Sequence, residues 1–479
     1  MHVPELLTLD QAERLGIEQV HDLYGKYVSR SQVSLIGTFG FGRDLVESAE
    51  GAWIRLQDGR DILDFTGGVG VLNHGHNHPR VLAARDRYRR QRRMEVHKNY
   101  FSPYVAALSH NLAALLPGDL NISYFPNSGA EAVEGAIKLA YKYHGGRRGT
   151  VLHSDIAFHG KLLGAGSLTA SPEIHFGFPQ IPGTDSFAYA DLESFELALA
   201  RHADSRGHSD VYAVVLEPFS ASSLRECPAD FLHEVRRICT EQDIILVFDE
   251  VYTGWGKTGE LFHFMRHPGL VPDVLTTSKS FGGGKSSISG YITREPVFRR
   301  AYDNLGDATL HSTTYYGFGE ETATALEAVA VAVEEDFPGR ARKLDELLSA
   351  GLADLATRHS GLVASVAGQG ALHGMYLRQG PTLPKAVRDL IPLSLAKDPQ
   401  VTAKLLTGAV IAALYRDHGI LTFFGSNQRI ALIISPPLVA GEEEVQIFLR
   451  ALDDVLSRGV RRLLTGFVRE KVSAAKAVR

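Results

Sequence analysis

The chain has 479 residues, 44% of them hydrophobic and 22% charged, with a formal net charge of -5. That length suggests more than one domain, and the composition is that of a soluble globular protein without the positive excess of nucleic-acid binders. Two cysteines, Cys227 and Cys239, leave no disulfide framework and make a reducing cytoplasm the default; no apolar run approaches the roughly 20 residues that span a bilayer. Met1-His-Val-Pro-Glu-Leu-Leu7 has neither the basic start nor the long apolar stretch of a signal peptide.

A helix is expected over about Asp10 to Tyr27, then two short strands, Trp53 to Gly59 and Ile62 to Phe65, about an Asp-Gly turn. A glycine-rich loop, Thr66 to Pro79, follows and leads into a helix near Arg80. It carries three alternate histidines, His74, His76 and His78, but Gly75 and Pro79 argue for a loop instead of a strand, and no metal site is expected. Helical spacing runs from Tyr104 to Leu116 and stops at Pro117-Gly118. The strand Asn121 to Phe125 then meets Asn127-Ser-Gly-Ala-Glu-Ala132, where Ser128, Gly129 and Ala130 open a helix. Free N–H groups and the positive dipole end favour an anion such as phosphate there, although Ser128 and Glu131 also read as an ordinary cap.

Further strands are expected at Gly149 to His153 and Val211 to Glu217, with a helix over Phe231 to Gln242. Strands alternating with helices predict a mostly parallel, doubly wound sheet, whose sites lie at the carboxyl ends of the strands. Those ends present Phe158-His159-Gly160, Glu217 and, after the apolar run Ile244 to Phe248, the acids Asp249 and Glu250. Pro272-Asp-Val-Leu-Thr-Thr-Ser-Lys279 is a second short strand ending in a lysine among serines and glycines. Such a lysine can bind a carbonyl cofactor as a Schiff base, so Lys279 is expected to carry pyridoxal phosphate and Asp249 to tune its ring. Taken singly, the two residues also fit a surface lysine and a helix-capping aspartate.

A strand over Ile288 to Thr293 is expected to close this sheet, and the loop His311 to Gly317 precedes a helix over Glu321 to Val333. A new lobe follows: a helix over Arg340 to His359, two strands between Leu362 and Leu377, and a proline-rich insert from Gln379 to Gln400. A helix over Val401 to His418, strands at Ile420 to Phe424 and Ile430 to Ser435, and a helix from Gly441 to Arg461 complete it. The basic tail Arg469 to Arg479 is expected to be solvated surface.

In order along the chain, the Asp64-to-Pro79 block, Asn127-Ser-Gly-Ala-Glu-Ala132, Phe158-His-Gly160, Glu217-Pro218, Asp249-Glu-Val251 with Thr253-Gly254, Lys279, Thr313-Thr314 and Pro436-Pro437-Leu438 resemble the motifs of class III pyridoxal-phosphate-dependent aminotransferases. That group contains ornithine, 4-aminobutyrate and putrescine aminotransferases, and the resemblance runs from about Gly51 to Leu456. It implies an α/β architecture of fold type I, with a mostly parallel seven-stranded sheet in a large domain (66–330) and a small α+β domain drawn from both termini (1–65 and 331–479). It also implies a homodimer with active sites at the subunit interface, acting on small-molecule amine or amino acid and carbonyl substrates; charge and the lack of a long apolar run leave neither nucleic acid nor membrane as an expected partner. Lys279 is implied to be the Schiff-base lysine and proton carrier, and Asp249 the partner of the pyridine nitrogen. Ser128, Gly129 and Ala130 form the implied phosphate cup, completed by Thr314 from the neighbouring subunit. Phe158 and Val251 are the implied sides of the ring sandwich, His159 a supporting residue, and Glu217 an acid near Asp249 or the substrate. The expected reaction moves an amino group between an amine or amino acid and an aldehyde or ketone, by a ping-pong route through pyridoxamine phosphate. A racemase, decarboxylase or lyase on the same scaffold is the alternative.

Three positions depart from the family pattern. Tyr252 replaces a glutamine that contacts the cofactor's 3′-oxygen, Ile433 replaces an arginine that binds substrate carboxylates, and Ser222 replaces the glutamate that pairs with that arginine. Loss of both ions together is coherent, since either alone would be a costly unpaired buried charge. Arg429 and Arg225 are the candidate substitutes for carboxylate binding. The other expectation is a pocket for an amine without an α-carboxylate, entered past Val69, Val71, Leu72 and Tyr252.

Overall fold

Short apolar runs and glycine turns set the framework of this computed structural model, which describes residues 6–37, 39–170, 177–378, 400–427 and 429–467. The expected insert, Gln400 apart, and the basic tail lie outside those residues. Val46–Glu50 (β1), Trp53–Leu56 (β2) and Asp61–Asp64 (β3) form an antiparallel meander around the Asp58-Gly59 turn. The main sheet contains Leu120–Tyr124 (β4), Thr150–Ser154 (β5), Thr184–Phe187 (β6) and Val211–Leu216 (β7). A separate small hairpin pairs Phe219–Ser220 (β8) with Arg225–Glu226 (β9). Ile245–Asp249 (β10), Val274–Thr277 (β11) and Gly290–Arg294 (β12) complete the main sheet, whose order is β4-β12-β11-β10-β7-β5-β6.

The sheet is mostly parallel, as the alternation of strands and helices predicts; β12 alone runs antiparallel to its neighbours β11 and β4. The expectation that this strand closes the sheet is therefore corrected: β12 lies second from the edge, and β4 forms the edge. Every residue of β5, β7 and β10 is buried, which explains why their sequences are continuous apolar runs without alternation. The Gly129–Tyr143 helix packs Val133, Ala136, Ile137 and Ala140 over one face of the sheet. Strands β6, β8 and β9 carry no run that periodicity marks, and they were not expected.

Both ends of the chain meet beside this sheet. Val363–Gln369 (β13) and Leu372–Leu377 (β14) precede the Val401–His418 helix; Ile420–Leu421 (β15), Phe423–Asn427 (β16) and Arg429–Ile434 (β17) follow it. β15 pairs with β3, while β13, β14, β17 and β16 make a second four-stranded sheet. Phe65 is gripped on both sides, donating its N–H to Leu421 and accepting from the N–H of Ser435. The expected N-terminal helix is broken once, at Gly16, after Leu9–Glu13; it then runs on through Ile17–Tyr24, a π-helical turn Gly25–Ser29 and Arg30–Gly37.

Candidate active site

The carboxyl ends of β4, β5, β7, β10 and β11 open on one edge of the sheet, and each delivers a side chain or turn expected to be functional. Asp249 ends β10 and is buried. Its Oδ2 accepts from His159 Nδ1 at 2.7 Å, and its Oδ1 accepts from the Thr276 hydroxyl at 3.1 Å and the Val251 N–H at 3.0 Å. His159 is fixed in turn, its N–H donating to Thr169 Oγ1 at 2.9 Å. The carboxylate is thus oriented by three donors before any ligand arrives.

Glu217, immediately after β7, is buried with its Oε2 unpartnered. Burial and the adjacent Asp249 push its carboxyl well above the usual range.

Lys279 opens a short turn directly after β11, with φ at +51°, in the left-handed region that β-carbon-bearing residues rarely adopt. Its Nζ lies 3.7 Å above the centre of the Tyr252 ring. Burial pushes the amine down to about 8, against Asp249 and Glu217, which favour the charged form. The lowered value leaves a neutral fraction at neutral pH far above that of an ordinary lysine, which is what a nucleophilic lysine needs. Tyr252 donates its hydroxyl to Ser435 Oγ at 3.3 Å, so the ring face and not the hydroxyl is presented to Lys279. A β-carbon at Gly70 would come within 2.8 Å of that ring; the glycine loop is seated against it.

Ser128 caps the Gly129–Tyr143 helix, its Oγ accepting from the Glu131 N–H at 3.3 Å while Asn127 donates to Glu131 at 2.7 Å. The cap is real, and it leaves Gly129 and Ala130 in the first turn, where no preceding turn accepts their N–H groups. A β-carbon at Gly129 would sit 2.9 Å from Val251 Cγ1, and one at Gly160 would sit 2.7 Å from the Ala130 β-carbon. Hence the loops bearing Val251 and Phe158 both pack on this helix start; Phe158 is 40% exposed at its rim. Thr314 is exposed on the surface of the single chain.

Sequence reasoning missed three supports. Asp64 accepts from the Thr66 N–H and hydroxyl and from Gly67 N–H, and its other oxygen pairs with His76 Nε2 at 2.9 Å, shaping the glycine loop. Lys257 is fully buried and donates to the Pro436 carbonyl at 3.0 Å; burial, aided by Lys279, pushes it down to about 7, while Asp64 opposes the shift. Glu250 accepts from the N–H groups of His263 and Phe264. Lys257 has no spacing signal, because its partner Pro436 comes from a distant stretch. The alternate histidines diverge: His74 Nε2 meets the Ala328 carbonyl, His76 meets Asp64 and His78 meets Glu335.

The match to the family model for aminotransferase class-III runs over residues 43–456. The chain belongs to the class III aminotransferases. This aminotransferase is 32% identical over 404 residues to a putrescine aminotransferase of Pectobacterium atrosepticum, covering 84% of this chain and 79% of that protein. Among solved structures, it matches the ornithine aminotransferase of Toxoplasma gondii at a TM-score of 0.77 and 22% identity, over 94% of this chain and 99% of that one. It matches an (S)-enantioselective omega-transaminase of Thermomicrobium roseum at 0.74 and 24% identity, over 88% and 94%. These likenesses establish the fold, and the family establishes pyridoxal-phosphate-dependent transamination as the reaction.

The residues present fit that cofactor. A helix start with two unengaged N–H groups suits its phosphate, the unpartnered Glu217 oxygen and oriented Asp249 face the place for its ring, and Lys279 offers an amine. The region on the other side of Tyr252 differs in character. Phe219, Ala221, Leu224, Leu372, Tyr376 and Ile433 form one apolar cluster, with Tyr252 and Phe423 packed against it. A β-carbon on Gly425 would lie 3.1 Å from Ile433 Cδ1 and 3.2 Å from the Ser222 carbonyl, so those two positions border one glycine. Arg429 stacks its guanidinium on the outer face of Tyr376 at 4.1 Å, and Arg225 stacks on Tyr189 at 5.2 Å. Val69, at the loop mouth, is 50% exposed, whereas Leu72 is turned onto Gly284.

Proposed function

We propose that this aminotransferase takes a primary amine with an apolar body and no α-carboxylate as its distinguishing substrate. The observation carrying this reading is that Ile433 is packed in an apolar cluster, with the Arg429 guanidinium held against the ring of Tyr376 at 4.1 Å. A substrate carboxylate placed against that cluster would lose its water without compensation, at a cost of several kcal/mol.

In this reading the phosphate is held by Ser128, Gly129 and Ala130, and the ring between Phe158 and Val251. Bound there, pyridoxal phosphate supplies an electron sink for the electrons left when a proton leaves the substrate carbon. Asp249, kept in place by His159 and Thr276, accepts a hydrogen bond from a protonated ring nitrogen and so holds the proton there. Glu217, whose burial raises its carboxyl well above the usual range, would support the same ring beside Asp249. Lys279 anchors the cofactor and then, as a free amine, carries the proton from the substrate carbon. Tyr252 covers the amine with its ring face and excludes water on that side.

Exposed Thr314 would serve a second copy's phosphate, which makes a homodimer the working unit. Residues 1–65 and 331–479 are read as one small domain beside the large domain of 66–330. Among the described residues no helix is long and apolar enough to cross a membrane; the cytoplasmic placement rests on the cysteine count alone.

The test is the half-reaction. Each amine of a panel is mixed with holoenzyme in the absence of an acceptor, and conversion of the cofactor to its amine form is followed by absorbance. Apolar amines without an α-carboxylate should convert it fastest. Faster conversion by α-amino acids would overturn the substrate reading. Borohydride should fix the cofactor to the peptide containing Lys279, and fixation in Lys279→Ala protein would refute that assignment.

A further inference from the structure

Outside the active site, three side chains from two distant stretches converge with the chemistry of a metal centre. Glu226 lies on β9. His263 begins the short 3-10 turn His263–Arg266, and His267 ends it. One ligand atom from each lies within 4.8 Å of the other two. His263 is fully buried, and its Nε2 stands 3.2 Å from Glu226 Oε1 but outside hydrogen-bond geometry. The Nε2 atoms of both histidines are buried without a hydrogen-bond partner. That is costly for an imidazole whose only role is packing.

The orientation of His263 is explained by its other nitrogen. Nδ1 lies 3.1 Å from Thr258 Oγ1, a hydroxyl that can donate or accept, and with Nδ1–H donating there Nε2 keeps its lone pair for an ion. The turn itself is pinned from behind: Glu250 accepts the His263 and Phe264 N–H groups at 2.5 and 2.8 Å. An ion with bonds of ~2.0–2.1 Å in tetrahedral geometry needs ligand atoms roughly 3.3–3.4 Å apart. The 3.2 Å between Glu226 and His263 is close to that, and the His267 atom, within 4.8 Å of both, would have to draw in on binding.

We propose that Glu226, His263 and His267 bind one divalent transition-metal ion of the zinc class. Two imidazoles and one carboxylate match the ligand preference of that class, and the exposed Glu226 gives the ion a path from solvent. Arg266 Nε, 3.6 Å from Glu226 Oε1, shares the carboxylate and is the group the ion must outcompete. The ion would tie the β8–β9 hairpin to the 263–267 turn. Phe219 of that hairpin, 5.4 Å from the His263 ring, belongs to the apolar cluster at the substrate end, so the centre braces the wall behind it.

The test uses untagged full-length holoenzyme, stripped with chelator and titrated with Co2+ and Zn2+. Expected are one ion per chain by metal analysis, visible d–d bands with Co2+, and a raised melting temperature with Zn2+. Losing a partner that only orients a ligand weakens metal binding about 10–100-fold, so Glu226→Gln and His267→Gln should each weaken it by roughly tenfold or more. Both variants keep the buried His263 and should retain aminotransferase activity without added metal. Equal binding by wild type and the double variant, or no ion bound by wild type, overturns the proposal.

Discussion

Replacing Ile433 by arginine puts the reading of the substrate end to a quantitative test. The side chain is 2% exposed and sits among Phe219, Ala221, Leu372 and Tyr376, with no carboxylate in that cluster. A lone buried charge costs about 3–5 kcal/mol, so Ile433→Arg should lower the unfolding free energy by an amount of that order. Ser222 borders the same glycine as Ile433, and Ser222→Glu should supply a counter-ion within reach. The double variant should therefore recover much of the loss, with a coupling energy well above the few tenths expected of independent sites. It should also gain on carboxylate-bearing substrates. A charge-assisted hydrogen bond of about 1.5–3 kcal/mol corresponds to roughly 10- to 150-fold in kcat/KM. Urea unfolding of the four proteins and kcat/KM for a matched pair of substrates, with and without a carboxylate, measure both effects. Additive stabilities, or no gain on the carboxylate substrate, would refute the argument that apolar packing here replaces an ion pair.

Three further outcomes follow from the same geometry. Gly129→Ala places a β-carbon 2.9 Å from Val251 Cγ1, an overpacking worth about 1–3 kcal/mol; cofactor affinity measured by equilibrium dialysis should fall, and Val251→Ala in the same chain should restore it. In cofactor-free protein, Lys279 at about 8 predicts that the rate of cofactor loading rises about tenfold per pH unit below that value and levels above it, as the neutral amine becomes the main form. Lys257, lowered from 10.5 to about 7, is neutral in the fold while the unfolded chain still binds the proton. Wild-type stability should thus rise across that window, and Lys257→Met should remove about 1.4 kcal/mol per pH unit of slope between them, read by urea unfolding at a series of pH values.

What could be read from the sequence divides by how local its cause is. Strands β7 and β10 are unbroken apolar runs because both faces are covered, and the residues at their ends are fixed by chain direction alone. Asp249, Glu217 and Lys279 were legible for that reason. The Ser128 turn was legible because a cap and a helix start are neighbours in sequence. β6 and the β8–β9 hairpin were not, since two- and four-residue strands carry too little alternation to stand out. The antiparallel place of β12 was hidden as well: its sequence reports burial and not direction.

The same distinction separates the two ends of the site. The cofactor end is built from strand termini and one helix start, so its roles are tied to a pattern that survives in order along the chain. The substrate end is built where β14 and β17 meet the β8–β9 hairpin and Tyr252, four stretches that only the fold brings together. Lys257 makes the point most sharply. It lies between Gly256 and Thr258-Gly259, yet the chain closes over it and its amine meets the Pro436 carbonyl. Pro436 follows Ser435, which accepts the Tyr252 hydroxyl. One short segment after β17 thus holds both the tyrosine under Lys279 and the second buried amine. A change in the C-terminal strands should therefore be felt at the Lys279 nitrogen before it is felt at Asp249, which is anchored wholly within the main sheet and the His159 loop.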